Sequence, residues 1–358
     1  MGIRFAIIPD NTQIPDGVYP FLPHEAYHAD PALSASGIKA MHVSPRTYWD
    51  RFMNPARCGD NDTKAKTLGR AIHKMVLEGP HEFAKFYACE PHPDDYPGSL
   101  ISASDLRDKC GYLGLKKTGT IEEMSIRLLD SDPGLMIFPV IKNGVLEQAA
   151  KHGKEILKRD DYQMCLNARE EVQANDAARG LLESGLSEVS VFWTTSEGVR
   201  MKARFDWLNQ DGIVDLKSFS NTQEIPVDRA VVMAAANRIY GVQAYIYLAA
   251  ATAAKELIQS GRIFGGDLNS FEVLHSFAER QDLPRFHFIF LETGDVNNVL
   301  VRGWPRESLI MEASEAKASR AMLAWKENMR RYGASMPWGQ NEPARDFYDE
   351  EFPLWAVE

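Results

Sequence analysis

The chain has 358 residues, 44% hydrophobic and 25% charged, the balance of an ordinary globular protein rather than a disordered or fibrous one. No apolar run approaches the ~20 residues that span a bilayer, and the apolar start MGIRFAIIPD is too short for a secretory signal and is broken by Pro9. The Met-Gly start lacks a myristoylation pattern, because Phe5 and Ala6 stand where Ser or Thr is wanted, so a cytoplasmic protein with no membrane partner is expected. A net charge of −10 weighs against a nucleic-acid partner, since duplex binding rests on Lys and Arg neutralising phosphates. One cleft can still bind against the net charge, and a divalent-cation site itself requires carboxylates.

In chain order, Ser34 or Ser36 is a plausible N-cap for a helix through GIKAMHV. KAKTLGRAIHKMVLE follows as one helix, with Leu68, Ile72 and Met75 on one stripe and Gly69, His73 and Leu77 on its neighbour, stopped by Gly79-Pro80. EPHPDDYPGSL reads as a linker. SDLRDKCGYLGLKKTGTIEEMSIRLLD then reads as helix, connection, helix, the first capped by Ser104 and the second by Thr120 with Glu122 and Glu123 in its first turn. Residues 151–183 are helical in pattern. Four cysteines, Cys58, Cys89, Cys110 and Cys165, lack paired spacing, which makes zinc and iron–sulfur sites improbable and buried thiols the preferred reading.

From Glu188 the period changes to two. EVSVFWTT, VRMKARFDWL and GIVDLKS are three strands joined by turns at Ser196–Gly198 and Asn209–Gly212. A helical stretch from about Ala230 to Gln259 follows, then strands FHFIFLE and NNVLVRGW, and the helix EASEAKASRAMLAWKENMRRY before a tail containing Trp and Pro.

The three strands bring acids together. Val199, Met201, Ala203, Phe205 and Trp207 alternate with Arg200, Lys202, Arg204 and Asp206, giving one apolar and one charged face. Closing the second turn with Leu208 opposite Ile213 sets Asp206 opposite Asp215 and Arg204 opposite Lys217. Opposed Cβ atoms lie ~4.5–5.5 Å apart, near enough for two carboxylates to share a cation. Closing the first turn with Thr195 against Val199 adds Glu188 beside Asp206, and a slip of one residue would destroy the row. A purely structural face would avoid adjacent acids, whereas Mg²⁺ or Mn²⁺ removes the conflict. Lys217, two residues beyond Asp215, projects with it and would help deprotonate water or stabilise charge on a phosphate. The plain alternative is a solvated polar face, the common meaning of a short D…DxK pattern.

An aspartate followed about nine residues later by Asp-Leu-Lys resembles the PD-(D/E)XK nuclease core, here without its proline. Gly69-Arg-Ala-Ile-His73 resembles the G-x-x-x-H element of the RecB-like branch, whose His is a metal ligand, and Gln243-Ala-Tyr-Ile-Tyr247 resembles its Q-x-x-x-Y motif on a helix lining the DNA site. LSASGIKAMHVSPRTYWDRF, GRAIHKMVLEG and SEVSVFWTTSEGVRMKARFDWL are similar to the phage and prophage exonuclease VIII (RecE-type) nuclease domain. The resemblance covers most of the chain outside about 100–150, and that stretch resembles a SAP module, a DNA-binding helix pair. It implies an α/β (α+β) restriction-endonuclease-like core, a mixed sheet flanked by helices, with helical residues 1–99, an insertion at 100–150 and the catalytic core and closing helix at 151–358. It further implies Mg²⁺- or Mn²⁺-dependent 5′→3′ digestion of double-stranded DNA ends, a homo-oligomeric ring, and 3′ tails passed to a single-strand annealing protein of RecT type.

The resemblance assigns Asp206, Asp215, His73 and the main-chain carbonyl of Leu216 to the metal, with Glu188 beside them and Lys217 assisting attack by an activated water. His73 is otherwise a core histidine, and Gln243 and Tyr247 serve equally as helix packing or DNA contacts. Ser34, Ser36 and Arg46 read as 5′-phosphate contacts or as a cap and a surface cation. Lys116 and Lys117 read as DNA contacts, with a packing or ring-contact module as the alternative. The rival functions are an endonuclease on branched or single-stranded DNA, a CRISPR-associated end processor (whose cysteine-bound cluster this chain lacks), and a non-catalytic DNA-end-binding protein.

Overall fold

The computed structural model describes residues 13–57, 63–339, 346–348 and 351–352; the N-terminal segment 1–12 and Cys58 read above lie outside them. Among the described residues the strands are β1 (Gly17–Tyr19), β2 (Tyr87–Cys89), β3 (Glu155–Leu157), β4 (Leu186–Thr194), β5 (Arg200–Asn209), β6 (Gly212–Phe219), β7 (Arg285–Glu292) and β8 (Val299–Gly303). Six form one mixed sheet in the order β1-β4-β5-β6-β7-β8, with β6 and β7 parallel and the other neighbours antiparallel. β2 and β3 pair in parallel by themselves.

The helices before β4 are α1 (His24–Ala29), α2 (Ala35–Val43), α3 (Pro45–Phe52), α4 (Lys64–His73), α5 (Gly79–Phe86), α6 (Ala103–Tyr112), α7 (Ile121–Ser131), α8 (Phe138–Lys151), α9 (Arg159–Ala174) and α10 (Asp176–Leu182). After β6 come α11 (Val227–Asn237), α12 (Tyr240–Gln259), α13 (Leu268–Glu279) and α14 (Leu309–Tyr332). On one face of the sheet Met201, Phe205 and Phe288 pack with Ile38 of α2, Val242 of α12 and Ala318 of α14. α12 buries Ala244, Ala250, Ala251 and Ala254 completely, and side chains this small let the helix lie close to the strands. On the other face Val214, Leu216 and Ile289 pack with Ala71 and Ile72 of α4 and Cys165 and Ala168 of α9. This is the mixed α/β architecture expected of the sequence, a mixed sheet flanked by helices.

Several local expectations change. The 64–78 helix is α4 followed by a π-helical turn over Lys74–Glu78; Gly79, at φ 87°, stops it and Pro80 at once opens α5. Ser102, not Ser104, caps α6, because Asp105 returns a bond to the Ser102 backbone N–H and completes a reciprocal box. Residues 151–183 contain β3 before α9, and the 230–259 stretch divides at Ile239, whose φ of 47° breaks the helical ladder. Leu106, Cys110, Met124, Leu128 and Ile137 form a small core of their own within the helix pair α6–α7. Its two ends meet, with Leu100 bridged to Ile137.

The charged alternation of β5 is spent on structure. Arg200 pairs with Asp30 at 2.6 Å, Lys202 donates to the Tyr27 and Asp30 carbonyls at 2.7 and 2.6 Å, and Arg204 donates to Leu22 O at 2.7 Å and Ser190 Oγ at 2.8 Å. These bonds strap α1 and its flanks over the basic side of β5.

Candidate active site

The β5–β6 hairpin closes in the predicted register, with Leu208 opposite Ile213 and Trp207 opposite Val214. The ladder then ends, one residue short of the Asp206/Asp215 pair, so Arg204 is not opposite Lys217 in a continuing ladder. Where the strands part, the Asp206 carboxylate takes over as acceptor: Leu216 N–H donates to its Oδ2 at 2.9 Å. Leu216, whose carbonyl the resemblance gives to the metal, also holds Asp206 through its N–H.

The β4–β5 ladder is interrupted at the matching point. Ser187 pairs with Trp207 and Val189 with Phe205, while Glu188 stands between them in a left-handed conformation, φ 57°. Beyond this point the faces exchange: Phe205 and Leu208 both enter the core under α12, and Trp207 joins Val214 on the opposite side. The strict alternation that put Trp207 with Phe205 is therefore corrected. Irregular residues sit in both strands, so the count of partners is preserved while the faces swap. Positive φ is uncommon for a residue such as Glu, and here it coincides with the acids.

Asp215 is fully buried. Its Oδ1 accepts from Gln243 Nε2 at 2.6 Å, and its Oδ2 is in ion-pair contact with Lys217 Nζ without a partner of hydrogen-bonding geometry. Burial and the neighbouring Asp206 push its carboxyl up to about 6, against the pull of Lys217. Burial also raises Asp206, and burial with Asp206 raises Glu188 to about 7. Burial alone would lower Lys217; the Asp215 and Asp206 charges outweigh it and keep the ammonium protonated. Lys217 also lies over the rings of Tyr240, at 5.5 Å, and Phe288, at 5.8 Å. Tyr247 is packed at the edges of Phe205 and Phe286, with centroids 5.6 and 6.1 Å away.

From the opposite face α4 brings His73, whose Nδ1 is 3.4 Å from Asp206 Oδ2. Burial and Lys217 hold its pKa down to about 4, so the imidazole is neutral at pH 7, the form that ligates metals. The π turn begins at the next residue. Arg169 of α9 donates to the Met75 and Val76 carbonyls at 3.1 and 3.2 Å, groups that a widened turn leaves without helical partners. Lys74 and Glu78, paired at 2.7 Å, flank the charge environment of Glu188.

Asp206, Asp215, Lys217, Leu216, His73, Glu188, Gln243 and Tyr247 are thus brought to one region across β4, β5, β6, α4 and α12. Ser36 and Arg46 are exposed on α2 and α3; Ser36 Oγ bonds Ser34 Oγ at 2.9 Å and Arg46 lies over Trp49. Ser34, by contrast, caps α2. Lys116 and Lys117 sit exposed on the α6–α7 turn, beside the small separate core. Sequence reasoning missed Lys39, whose Nζ is 3.3 Å from Gln243 Oε1, and Tyr240. No local signal marks Lys39, whose partner lies 204 residues away in the chain.

One fully buried and one partly buried carboxylate, one lysine and a neutral imidazole leave excess negative charge, which fits a hard divalent cation. Among the described residues no three His, Cys, Asp or Glu side chains form a ready-made cage. The fit rests on the incompletely bonded Oδ2 of Asp215 and on the Asp206 charge raising the pKa of Asp215 and of Glu188. No helix among the described residues is long and apolar enough to cross a membrane.

The model of a family described as a PDDEXK-like domain of unknown function (DUF3799) matches residues 34–263, a span that contains every element of this centre. No curated protein matches the chain. Among solved structures, one described as a "putative exonuclease" from Eubacterium rectale is similar at 11% identity and a TM-score of 0.43, over 87% of this chain and 85% of that one.

Proposed function

The chain belongs to the PDDEXK-like domain family of unknown function (DUF3799), and on that premise we propose that it is a divalent-metal-dependent nuclease hydrolysing DNA phosphodiesters. The observation that carries this reading is the fully buried Asp215 beside a partly buried Asp206 with Lys217 against it, an arrangement costly to a fold that gains nothing from it. Asp206, Asp215 and neutral His73 would hold the cation, which supplies Lewis-acid polarisation of the phosphate and a more acidic water. Gln243 fixes the direction of the Asp215 carboxylate. Lys217 holds an ammonium donor at the site, available to a phosphate oxygen as charge develops there. Hydrolysis joins a water oxygen to phosphorus and breaks the bond to a deoxyribose oxygen, which leaves with a proton.

The finer reading is an Mg²⁺- or Mn²⁺-dependent exonuclease that degrades linear duplex 5′→3′, works as a ring of identical chains, and leaves 3′ tails for an annealing protein. Its support is the ordered set of motifs quoted above. The test is purified protein with linear duplex labelled at the 5′ or 3′ end, closed circular duplex alongside, and Mg²⁺ or EDTA. Mg²⁺-dependent loss of the 5′ label with circles intact is expected. Cut circles would replace this reading with an endonuclease, and binding without cleavage under any divalent ion would replace it with a DNA-end-binding protein.

A further inference from the structure

Lys217 has a carboxylate to answer its charge, and Lys39 does not. Lys39 is half-buried on α2, and among the described residues its Nζ meets the neutral Gln243 Oε1 at 3.3 Å and the face of Tyr240 at 4.9 Å, with no carboxylate in an ion pair with it. Lys217 lies over the same Tyr240 ring at 5.5 Å, so two ammonium groups share one aromatic ring. Arg238, exposed at the end of α11, also acts on Lys39 and on Tyr240 through its charge. Burial first, then Lys217, pulls the Lys39 pKa to about 8, with Arg238 adding to the drop and Asp215 alone opposing it. A half-buried ammonium with no carboxylate of its own costs stability, and a fold that needed only packing here would use an apolar side chain. Such an ammonium suits an anion brought by a ligand.

We propose that Lys39, with Arg238 at its rim, forms a phosphate subsite beside Tyr240 that takes a phosphodiester of the bound strand neighbouring the one at Lys217. This rests on the nuclease reading for its substrate but concerns a residue outside the Asp, Asp, Lys set. Both ammonium groups lie over the Tyr240 ring, and Gln243 tethers Lys39 to the site, since its amide accepts from Lys39 while donating to Asp215. The subsite would therefore align the strand with the carboxylates by one shared side chain.

The test measures binding of a labelled linear duplex by the full chain in EDTA, as a function of salt, for wild type, Lys39→Met, Lys39→Arg and Arg238→Met. Lys39→Met should weaken binding about tenfold and reduce the slope of log K against log salt by about one, the signature of one lost phosphate contact, with Lys39→Arg recovering most of both. Lys39→Met should also melt no lower than wild type, because it removes an unanswered charge and keeps the stem's packing. An unchanged salt slope overturns the proposal. So does a loss confined to cleavage rate and matched by Gln243→Leu, which would make Lys39 a positioning residue only. Wild type that binds in EDTA and does not cut when Mg²⁺ or Mn²⁺ is added removes the nuclease reading and leaves the subsite standing. Wild type that neither binds nor cuts overturns both.

Discussion

Asp206 has two jobs that substitution can separate. Its Oδ2 accepts the Leu216 N–H, and its charge raises Asp215 and Glu188. Asparagine keeps an acceptor oxygen and removes the charge. Asp206→Asn should therefore lower cleavage by about three orders of magnitude or more while melting in EDTA at or above the wild-type temperature. Alanine removes both, leaves a buried N–H unanswered and should cost a further ~1–3 kcal/mol in the denaturant midpoint. If Asp206→Asn cleaves normally, the carboxylate is not part of the chemistry. Much of this was legible from residues alone: the nine-residue spacing of Asp206 and Asp215 fixes a hairpin register, and a register carries acids to neighbouring strands. Lys39 was not legible, because its significance lies in a partner 204 residues away.

At the scale of elements, β4 and β5 explain why pairing was readable when faces were not. Each strand carries one irregular residue at the same level, Glu188 and Asp206, so the two departures cancel in the register and add in the side-chain directions. A period-two reading sees only the register. The π turn was unreadable for a different reason: KMVLE suits an α-helix, and the widened turn depends on Arg169, which arrives from α9 to satisfy its carbonyls. Arg169→Met should cost ~1–3 kcal/mol and slow cleavage, since the turn follows His73 directly; full activity would show that His73 does not depend on it. The acids on these strands also set a pH dependence. Glu188 moves from 4.5 to about 7 and Asp215 from 3.8 to about 6 on folding. Raised carboxyl pKa values mean the folded state binds protons more tightly, so their contribution is full at low pH and is lost as pH rises through that window. His73, held down to about 4, works in the opposite sense below about pH 6.5, so the acids are read by difference: the metal-free melting temperature of wild type minus that of Glu188→Gln should fall as pH rises from about 4.5 to 7, and Mg²⁺ should shrink that fall. A difference that rises across that interval would contradict the buried-acid account.

On the scale of the whole molecule, the proposed DNA substrate has to be held against a net charge of −10 while Arg200, Lys202 and Arg204 are consumed in fastening α1. Cations left for a duplex must come from elsewhere, and the α6–α7 unit carries Lys116 and Lys117 exposed on its turn. That unit has its own buried cluster, and its ends are joined through Leu100 and Ile137, where Phe138 N–H donates to Leu100 O at 2.9 Å. A unit with a private core and adjacent ends can be excised without opening the main sheet. Replacing residues 101–136 by a short Gly-Ser link should leave cleavage of a short linear duplex within about threefold of wild type, because no side chain of the carboxylate centre is removed. Binding to a longer duplex should weaken about tenfold, with a salt slope smaller by about two, matching the loss of two lysine contacts. Lys116→Glu with Lys117→Glu in the intact chain should reproduce that loss. If the excised protein binds long duplex as tightly as wild type, the unit serves packing or contact between chains, and sedimentation of the intact and excised proteins would tell the two apart.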